Sequence, residues 1–374
     1  MTNAVICAYA RSPFTPANKG ELAKTRPDDL LAQVIKGLLA KTPINTADIE
    51  DVLIGCAFPE GEQGLNIGRM VALLAGLPVT AAGATINRWC GSSMSAIHIA
   101  AGNIMSGAGE LFLCGGIESM TRIPMGGFNP SPNPNLYETM PGAYMSMGVT
   151  AENLYKKYQI PRKAQEEFAL KSHQKAAKAD LSQEIIPITI KGGICSKDGC
   201  IRPDTTLEAM ATLAPAFDAN GVVTAATSSP VTDGAAMVIV ASEAYADKNK
   251  LPKLARIRSF AVSGLAPEIM GLGPVEASHK ALKRAGLELK DMDIIELNEA
   301  FAVQSMAVIK ELGIDEGKLN IEGGALALGH PLGASGARIT GKAAMLLSKL
   351  GKNYALSTAC IGGGEGIATV LEKI

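Results

Sequence analysis

An internal repeat constrains the fold of this chain more than any other sequence feature. A shift of 243 residues places residues 47–58 on residues 290–301, so that an aspartate, an apolar run and an Ala-Phe pair coincide. The same shift places Cys90 on Gly333 and aligns a further apolar stretch downstream of each. One register shared by separate stretches indicates two similar structural units. We therefore expect a duplicated chain with a cleft between the matching loops of its halves.

Apolar runs alternate with helical patterns in the first unit. Strands are predicted at residues 3–10, 51–55, 84–87 and 111–114, and helices at 28–39, 66–77 and 91–106. This alternation predicts an α/β fold with a parallel sheet that is covered on both faces.

The residue composition changes near residue 117, where prolines and glycines become frequent and apolar runs become few. This stretch holds two predicted helices, 150–158 and 162–179, and a buried strand is predicted again at 234–241. We therefore predict three parts: an N-terminal half of residues 1–117 plus 232–253, an inserted loop domain of residues 118–231, and a C-terminal half of residues 254–374.

Composition limits the functional class. The net charge is −1 with scattered lysines and arginines, which argues against a nucleic-acid-binding surface. The seven cysteines lack the spacing of a zinc site, and Met1 leads directly into a strand, so we expect no metal and a reducing, cytoplasmic location. No apolar run reaches the roughly 18 residues that a membrane span needs.

Cys90 lies where a predicted strand gives way to a helix of small residues. A helix N-terminus favours negative charge, and cysteines in that position can have pKa values of roughly 3.5–7.5. The sequence therefore predicts a nucleophilic thiolate at Cys90. The alternative interpretation is that Cys90 is a small buried apolar residue.

Three loops of the second half carry further reactive groups. His330 lies between Gly329 and Pro331, and the repeat places it on Asn87, close to the Cys90 loop. A cysteine nucleophile, a histidine base and a glycine-rich turn together suit acyl transfer. We expect Cys360 to donate and accept a proton and Asn298 to hold a water or an oxyanion. The backbone N–H groups of Gly362 and Cys90 are natural oxyanion donors.

Four loops together resemble the signature motifs of the thiolases, in the right order and at similar distances. The motifs are Cys90-Gly91-Ser92, Asn298-Glu299-Ala300-Phe301, Gly329-His330-Pro331 and Cys360-Ile361-Gly362. Residues 320–338 and 148–153 extend this resemblance across the whole chain. The resemblance implies a duplicated βαβαβαββ fold in five layers, α-β-α-β-α, whose inserted loop domain binds coenzyme A (CoA).

The resemblance also implies a reaction, the thiolytic cleavage of a 3-ketoacyl-CoA by CoA. Cys90 takes the acyl group, His330 activates Cys90 or the incoming thiol, and Cys360 handles the proton of the acetyl carbanion. Asn298 and His330 form one oxyanion hole, and the Cys90 and Gly362 amides form the other. The residues assigned to substrate or CoA binding are Ser229, Met147, Arg202 and Phe301. CoA acts as a co-substrate, and no other cofactor is implied.

The chain departs from the family at three positions. Ala214 stands where members commonly carry an arginine that contacts the nucleotide end of CoA, and Arg202 or Lys191 could replace that cation. Glu322 and Glu365 replace neutral residues beside the histidine and glycine loops, and we expect these carboxylates to raise the pKa of His330.

Residues around Cys90 and Ser146 favour the degradative enzymes of fatty acid β-oxidation over the biosynthetic acetoacetyl-CoA thiolases, which carry histidine in place of Ser146. The biosynthetic activity is the first alternative, and a non-catalytic acyl-CoA carrier is a distant one. β-Ketoacyl synthases place histidine where this chain has Asn298, and the dinucleotide motif of a nicotinamide oxidoreductase is missing. The resemblance further implies a homodimer or homotetramer, with a β-oxidation hydratase/dehydrogenase subunit as a candidate partner.

Overall fold

A computed structural model describes residues 2–374. The strands are β1 Ala4–Arg11, β2 Thr15–Pro16, β3 Asp51–Gly55, β4 Ala82–Ile86, β5 Leu111–Ser119, β6 Ile188–Ile190, β7 Gly193–Cys195, β8 Thr232–Ser242, β9 Ala255–Gly264, β10 Ile294–Leu297, β11 Tyr354–Ile361 and β12 Glu365–Glu372. The helices are α1 Pro27–Lys41, α2 Ile67–Leu74, α3 Ser92–Ser106, α4 Pro134–Thr139, α5 Met147–Tyr158, α6 Arg162–Lys178, α7 Leu207–Ala211, α8 Glu243–Lys248, α9 Gly273–Ala285, α10 Ala302–Leu312, α11 Ala325–Leu328 and α12 Leu332–Leu350.

The two halves have the same strand order, running outward from one central strand pair. The sheet runs β4-β3-β5-β8-β1 in the first half and continues β9-β12-β11-β10 in the second. β1 and β9 join the halves in antiparallel register through Val5 with Arg256 and Ile6 with Ala255. β3, β4 and β5 pair in parallel, as do β10 and β11, while β8 and β12 pair antiparallel to their neighbours. The sheet is therefore mixed, because each half ends in an antiparallel return strand.

Helices α3 and α12 form the central layer between the two halves. They approach so closely that a Cβ at Gly336 would lie 2.4 Å from the backbone nitrogen of Met94. Separate apolar clusters lie under α1 and α2 on one outer side and under α9 and α10 on the other. These three helix layers and two sheet portions give the predicted five-layered α/β fold.

The second half differs from the first where β4 would recur. The repeat places β4 on residues 325–329, but α11 lies there, and a single parallel bridge between Ile295 and Leu319 takes the strand's place. The cause is local: Asn320 has a φ of 41°, and its side chain bonds both the N–H and the C=O of Leu297. The chain therefore turns away from the sheet and carries His330 inward.

β5 extends to Ser119, beyond the predicted end at residue 114. The sequence suggested an earlier end because Gly115 and Gly116 are poor strand formers. A Cβ at Gly116 would lie 2.0 Å from the carbonyl oxygen of Gly333. Glycine is required at this point because α12 packs directly on the strand.

The chain leaves the sheet after Ser119 and returns at Thr232, and α4–α7 and the β6–β7 hairpin lie in between. Arg11 of β1 binds Glu184 and Asp198 of this segment at 2.6 and 2.7 Å, and Lys342 of α12 binds Glu184 at 2.6 Å. These buried ion pairs hold the inserted segment against the sheet. No helix within residues 2–374 is both long and apolar enough to cross a membrane.

Candidate active site

Cys90 lies in a single 3₁₀ turn, Trp89–Gly91, that leads directly into α3. Trp89 has a φ of 41°, an unusual conformation for a bulky residue, and this sharp turn directs Cys90 into the interior. The Cys90 side chain is buried, and the backbone N–H groups of Gly362 and of Cys90 itself lower the pKa of its thiol. The thiol therefore faces the glycine-rich turn of the other half.

The expectation that Cys90 is a thiolate is wrong for the free protein. Burial raises the pKa of Cys90 to about 12, because removal from water disfavours the charged form. The two N–H donors lower this pKa, whereas the charge of Glu118 raises it further. Cys90 is therefore a neutral thiol that needs a base at the moment of reaction.

The raised pKa makes a prediction about chemical modification. Iodoacetamide reacts with the thiolate, so the rate of Cys90 alkylation should rise continuously from pH 6 to pH 9.5 without a plateau. Mass spectrometry of the Cys90 peptide measures this rate. A plateau beginning below pH 8 would show that Cys90 ionises near neutrality and would contradict the assignment.

The hydrogen bonds of His330, the candidate base, define which of its ring nitrogens is free. Ser335 Oγ donates to the carbonyl of Pro331 at 3.0 Å, so its lone pairs accept the Nδ1–H of His330 at 2.5 Å. Nε2 then carries the lone pair and lies 3.3 Å from the side-chain nitrogen of Asn298. Burial, followed by the charge of Arg338, lowers the pKa of His330 to about 3. The imidazole is therefore neutral with its Nε2 lone pair free, although the lowered pKa makes it a weaker base than an exposed histidine.

The expectation that Glu322 and Glu365 raise the pKa of His330 is also wrong. Glu322 binds Lys342 at 2.6 Å and Lys349 at 3.2 Å, and Glu365 binds Arg88 at 2.6 Å. Each carboxylate is therefore balanced by its own cation, and burial determines the pKa of the histidine.

The Ser335 contact leads to a second prediction. Ser335→Ala should lower kcat by roughly 10–100-fold with little change in KM, because the imidazole loses the partner that fixes its tautomer and orientation. Steady-state kinetics measure the split, and Ser335→Thr, which keeps the hydroxyl, is the matched control. An unchanged kcat in Ser335→Ala would show that packing alone orients His330.

Cys360 is a second buried thiol. It lies near the end of β11, and burial raises its pKa, which ionisation of Cys90 would raise further. Beyond it, the Trp89 ring packs on Gly362 and Gly363, where a Cβ would lie 3.2 and 2.5 Å from ring atoms. Cys90, Cys360 and His330 are thus all buried, and the Cys90 loop packs on the glycine-rich turn that follows Cys360.

Asn298 follows β10 and is fully buried. Its Nδ2 faces His330, and its Oδ1 has no hydrogen-bond partner among the described residues. A buried amide oxygen without a partner is costly, so a polar group of a substrate or a water is expected to complete it.

The residues assigned to substrate binding lie in two places. Met147 packs both against the apolar cluster that holds Cys90 and against the one that holds Cys360. Phe301 forms an isolated bridge with Ser228, and the N–H of Ser229 donates to Ala300 at 2.9 Å. Arg202 is exposed and lines a small cavity with Ser228, one residue from Ser229. Met147 and Phe301 therefore adjoin the buried thiols, and Arg202 lies further out.

Sequence reasoning missed Glu118, a buried carboxylate at the end of β5. It accepts the N–H groups of Ala57, Phe58 and Gly333 at 2.8, 3.3 and 2.9 Å, and the side chain of Gln63 at 2.9 Å. It thereby ties the start of α12 to the first half. The available signal was a glutamate inside an apolar strand, which is rare without buried partners.

Comparisons with known proteins agree with this arrangement. Residues 4–244 match the family model of the thiolase N-terminal domain, and residues 251–373 match that of the thiolase C-terminal domain. A Bacillus subtilis protein named 3-ketoacyl-CoA thiolase is 46% identical over 389 residues, covering 100% of both chains. A protein of the same name from Aliivibrio fischeri is 47% identical and covers 100% of both chains. Another from Saccharophagus degradans is 46% identical over 99% of this chain and 98% of its own. The chain therefore belongs to the thiolase family of acyltransferases.

Proposed function

We propose that this protein cleaves 3-ketoacyl-CoA with CoA, giving acetyl-CoA and a shortened acyl-CoA through an acyl-Cys90 intermediate. The observation that carries this proposal is the packing of the Cys90 loop on the Gly362–Gly363 turn just after Cys360, with Cys90, Cys360 and His330 all buried. Breaking a C–C bond next to a ketone needs a nucleophile for the ketone and an acid for the carbanion, and this grouping offers both.

The first half-reaction begins at Cys90. His330 Nε2 takes the thiol proton, directly or through a water, and the sulfur attacks the ketone carbon of the substrate. The C–C bond between the ketone carbon and the thioester arm then breaks, and its electron pair forms the enolate of acetyl-CoA. Cys360 donates its proton to that carbon, so acetyl-CoA leaves and the acyl group stays on Cys90.

The second half-reaction returns the enzyme to its starting state. CoA binds, its thiol proton moves to the Cys360 thiolate left by the first half-reaction, and its sulfur attacks the acyl carbonyl. The tetrahedral intermediate collapses, the Cys90 sulfur leaves and recovers the proton held on His330, and the shortened acyl-CoA departs. The Gly362 N–H, which lowers the pKa of the Cys90 thiol, would donate to the oxyanion that forms at the acyl carbon. One such donor typically changes kcat by about 10²–10³-fold.

We assign CoA binding to the segment of residues 118–231, as a loop domain, together with Phe301. Ser229 and Met147 would contact the arm of CoA, and Arg202 would bind its phosphates. Ala214 is exposed and offers no charge. Lys191 lines a separate groove with Lys24 and Lys36 beside α1, so Arg202 is the better replacement for the missing arginine.

The experiment that tests the function is the CoA-dependent loss of 3-ketoacyl-CoA enolate absorbance, with acetoacetyl-CoA and a long-chain substrate in parallel. Cleavage of both supports the degradative reaction, which the names of the relatives also favour. Turnover of acetoacetyl-CoA alone would favour the biosynthetic alternative. Binding of acyl-CoA without turnover would favour a carrier.

We further propose that the protein acts in the cytoplasm as a homo-oligomer. All seven cysteines are unpaired, as in proteins of reducing compartments. β4 is the last strand of its half, and the apolar side chains exposed near it are Leu65, Met70, Leu73, Leu74 and Val79. These side chains form an apolar surface and not single scattered residues. A second copy of the chain would cover this surface. Light scattering should give at least a dimer mass, and a monomer mass would contradict the assignment.

A further inference from the structure

An ion pair joins the two loops that carry the candidate site. Arg88 precedes Cys90 by two residues, and Glu365 follows the Gly362–Gly364 turn in the other half. Their Nη1 and Oε1 atoms are 2.6 Å apart, and their side chains are 34% and 36% exposed. The pair therefore spans the junction of the two halves directly beside the reactive groups.

Each partner is fixed on its own side. The Arg88 N–H donates to Ser92 Oγ at 2.9 Å, and its Nε donates to Ser95 Oγ at 3.0 Å, so two serines of α3 hold the residue. Glu365 begins β12 and pairs in the antiparallel ladder with Ile361 and with Gly264. Movement of one partner would therefore carry its whole loop with it.

Trp89 lies between this ion pair and the thiol. Its ring rests on Gly362 and Gly363, so the Cys90 loop and the glycine-rich turn are in direct contact. Glycine is needed at Gly363, which has a positive φ and where a Cβ would lie 2.5 Å from the ring; at Gly362 a Cβ would lie 3.2 Å from it. The same turn carries the Gly362 N–H, which lowers the pKa of the Cys90 thiol.

We propose that the Arg88–Glu365 ion pair sets the position of the Gly362 N–H relative to the Cys90 sulfur, and that both are positioning residues for acyl transfer. The inference rests on the proposed function for its kinetic consequence. Water screens a half-exposed ion pair, so its contribution to the free energy of unfolding is small. A small displacement of a donor, in contrast, strongly affects catalysis.

The test is a double-mutant cycle with Arg88→Met, which keeps an unbranched apolar stem, and Glu365→Gln, which keeps the side-chain length; both remove the charge. We expect each single variant and the double variant to lower kcat by the same factor of about ten, with an unchanged KM for CoA. Arg88→Lys keeps the charge and should recover most of the activity. Glu243→Gln is the matched control. Glu243 forms a partly exposed ion pair with Arg256, with an N–O distance of 2.8 Å, and this pair lies away from the site.

Two further readouts separate positioning from folding and from the proposed function. The thermal midpoint of each variant should stay within about 3 °C of the wild type. The rate of Cys90 alkylation, which needs no thiolase activity, should fall by the same factor in all three variants because the Gly362 N–H no longer supports the thiolate. If alkylation falls equally in the three variants but the wild type shows no turnover, the proposed function is rejected and the positioning inference stands. The inference is overturned if alkylation and kcat are unchanged, if the effects of the two single substitutions add in the double variant, or if Glu243→Gln causes the same drop.

Discussion

Cys90→Ala is expected to lower kcat for thiolysis by at least about 10⁴-fold, because no acyl-enzyme can form without the sulfur. The loss should exceed that of any other single change at the site. The oxyanion that the N–H groups of Gly362 and Cys90 would stabilise forms only after the Cys90 sulfur has attacked the substrate. The variant should stay folded, since alanine is tolerated at the turn and only one atom is removed. Single-turnover kinetics on acetoacetyl-CoA measure the residual rate.

The matched control for this variant is Cys7→Ala. Cys7 is equally buried but belongs to the outer apolar cluster under α1 and α2, so its kcat should match that of the wild type. If Cys90→Ala keeps more than about one hundredth of the wild-type kcat, Cys90 is not the nucleophile, and the adjoining Cys360 becomes the first residue to test.

Arg338→Met is expected to destabilise the fold by about 3–5 kcal/mol, the largest stability effect that we predict. Arg338 and Glu296 form a buried ion pair of 2.9 Å, with side chains 1% and 0% exposed. Without the guanidinium, Glu296 would remain buried without its closest cation. Urea unfolding measures the difference, and Arg338→Met combined with Glu296→Gln should recover at least half of the loss, because the uncompensated charge is gone.

The cost of Arg338→Met should depend on pH. Burial raises the pKa of Glu296 from its usual 4.5 to about 7, although Arg338 lowers it. A raised carboxyl pKa means that the folded state binds the proton more tightly, so this contribution is present below pH 4.5 and is lost as the pH rises through 7. Removing Arg338 raises the pKa further. The deficit of the variant should therefore be smaller at pH 5.5 than at pH 8, and an equal deficit would contradict a charge-based cause.

The repeat made the mirrored strand order predictable. It placed β5 and β11 in register to the residue, since they begin at Leu111 and Tyr354. It could not reveal that the second half replaces β4 by α11, because that change depends on the hydrogen bonds of Asn320 with Leu297. The position of a strand follows from the local pattern of apolar residues. The replacement of a strand's hydrogen bonds by those of one side chain depends on residues that are distant in the sequence.

The site residues were identifiable as loop residues at the ends of strands. The structure places Asn298 beside His330 and packs the Cys90 loop on the turn after Cys360. Their ionisation was not predictable. A helix N-terminus suggested a thiolate, but burial outweighs that effect, and the depth of burial is not visible in the sequence. The partners of Glu322 and Glu365 were also missed, because Arg88 lies 277 residues from Glu365 along the chain.

The most direct test of the central claim is to trap the acyl-enzyme. The protein is mixed with a 3-ketoacyl-CoA in the absence of free CoA, quenched in acid and digested, and the peptides are weighed by mass spectrometry. We predict an acyl group on the peptide that contains Cys90, released as shortened acyl-CoA when CoA is added before the quench. Substrate turnover without that adduct, or an acyl group on the Cys360 peptide instead, would contradict the account.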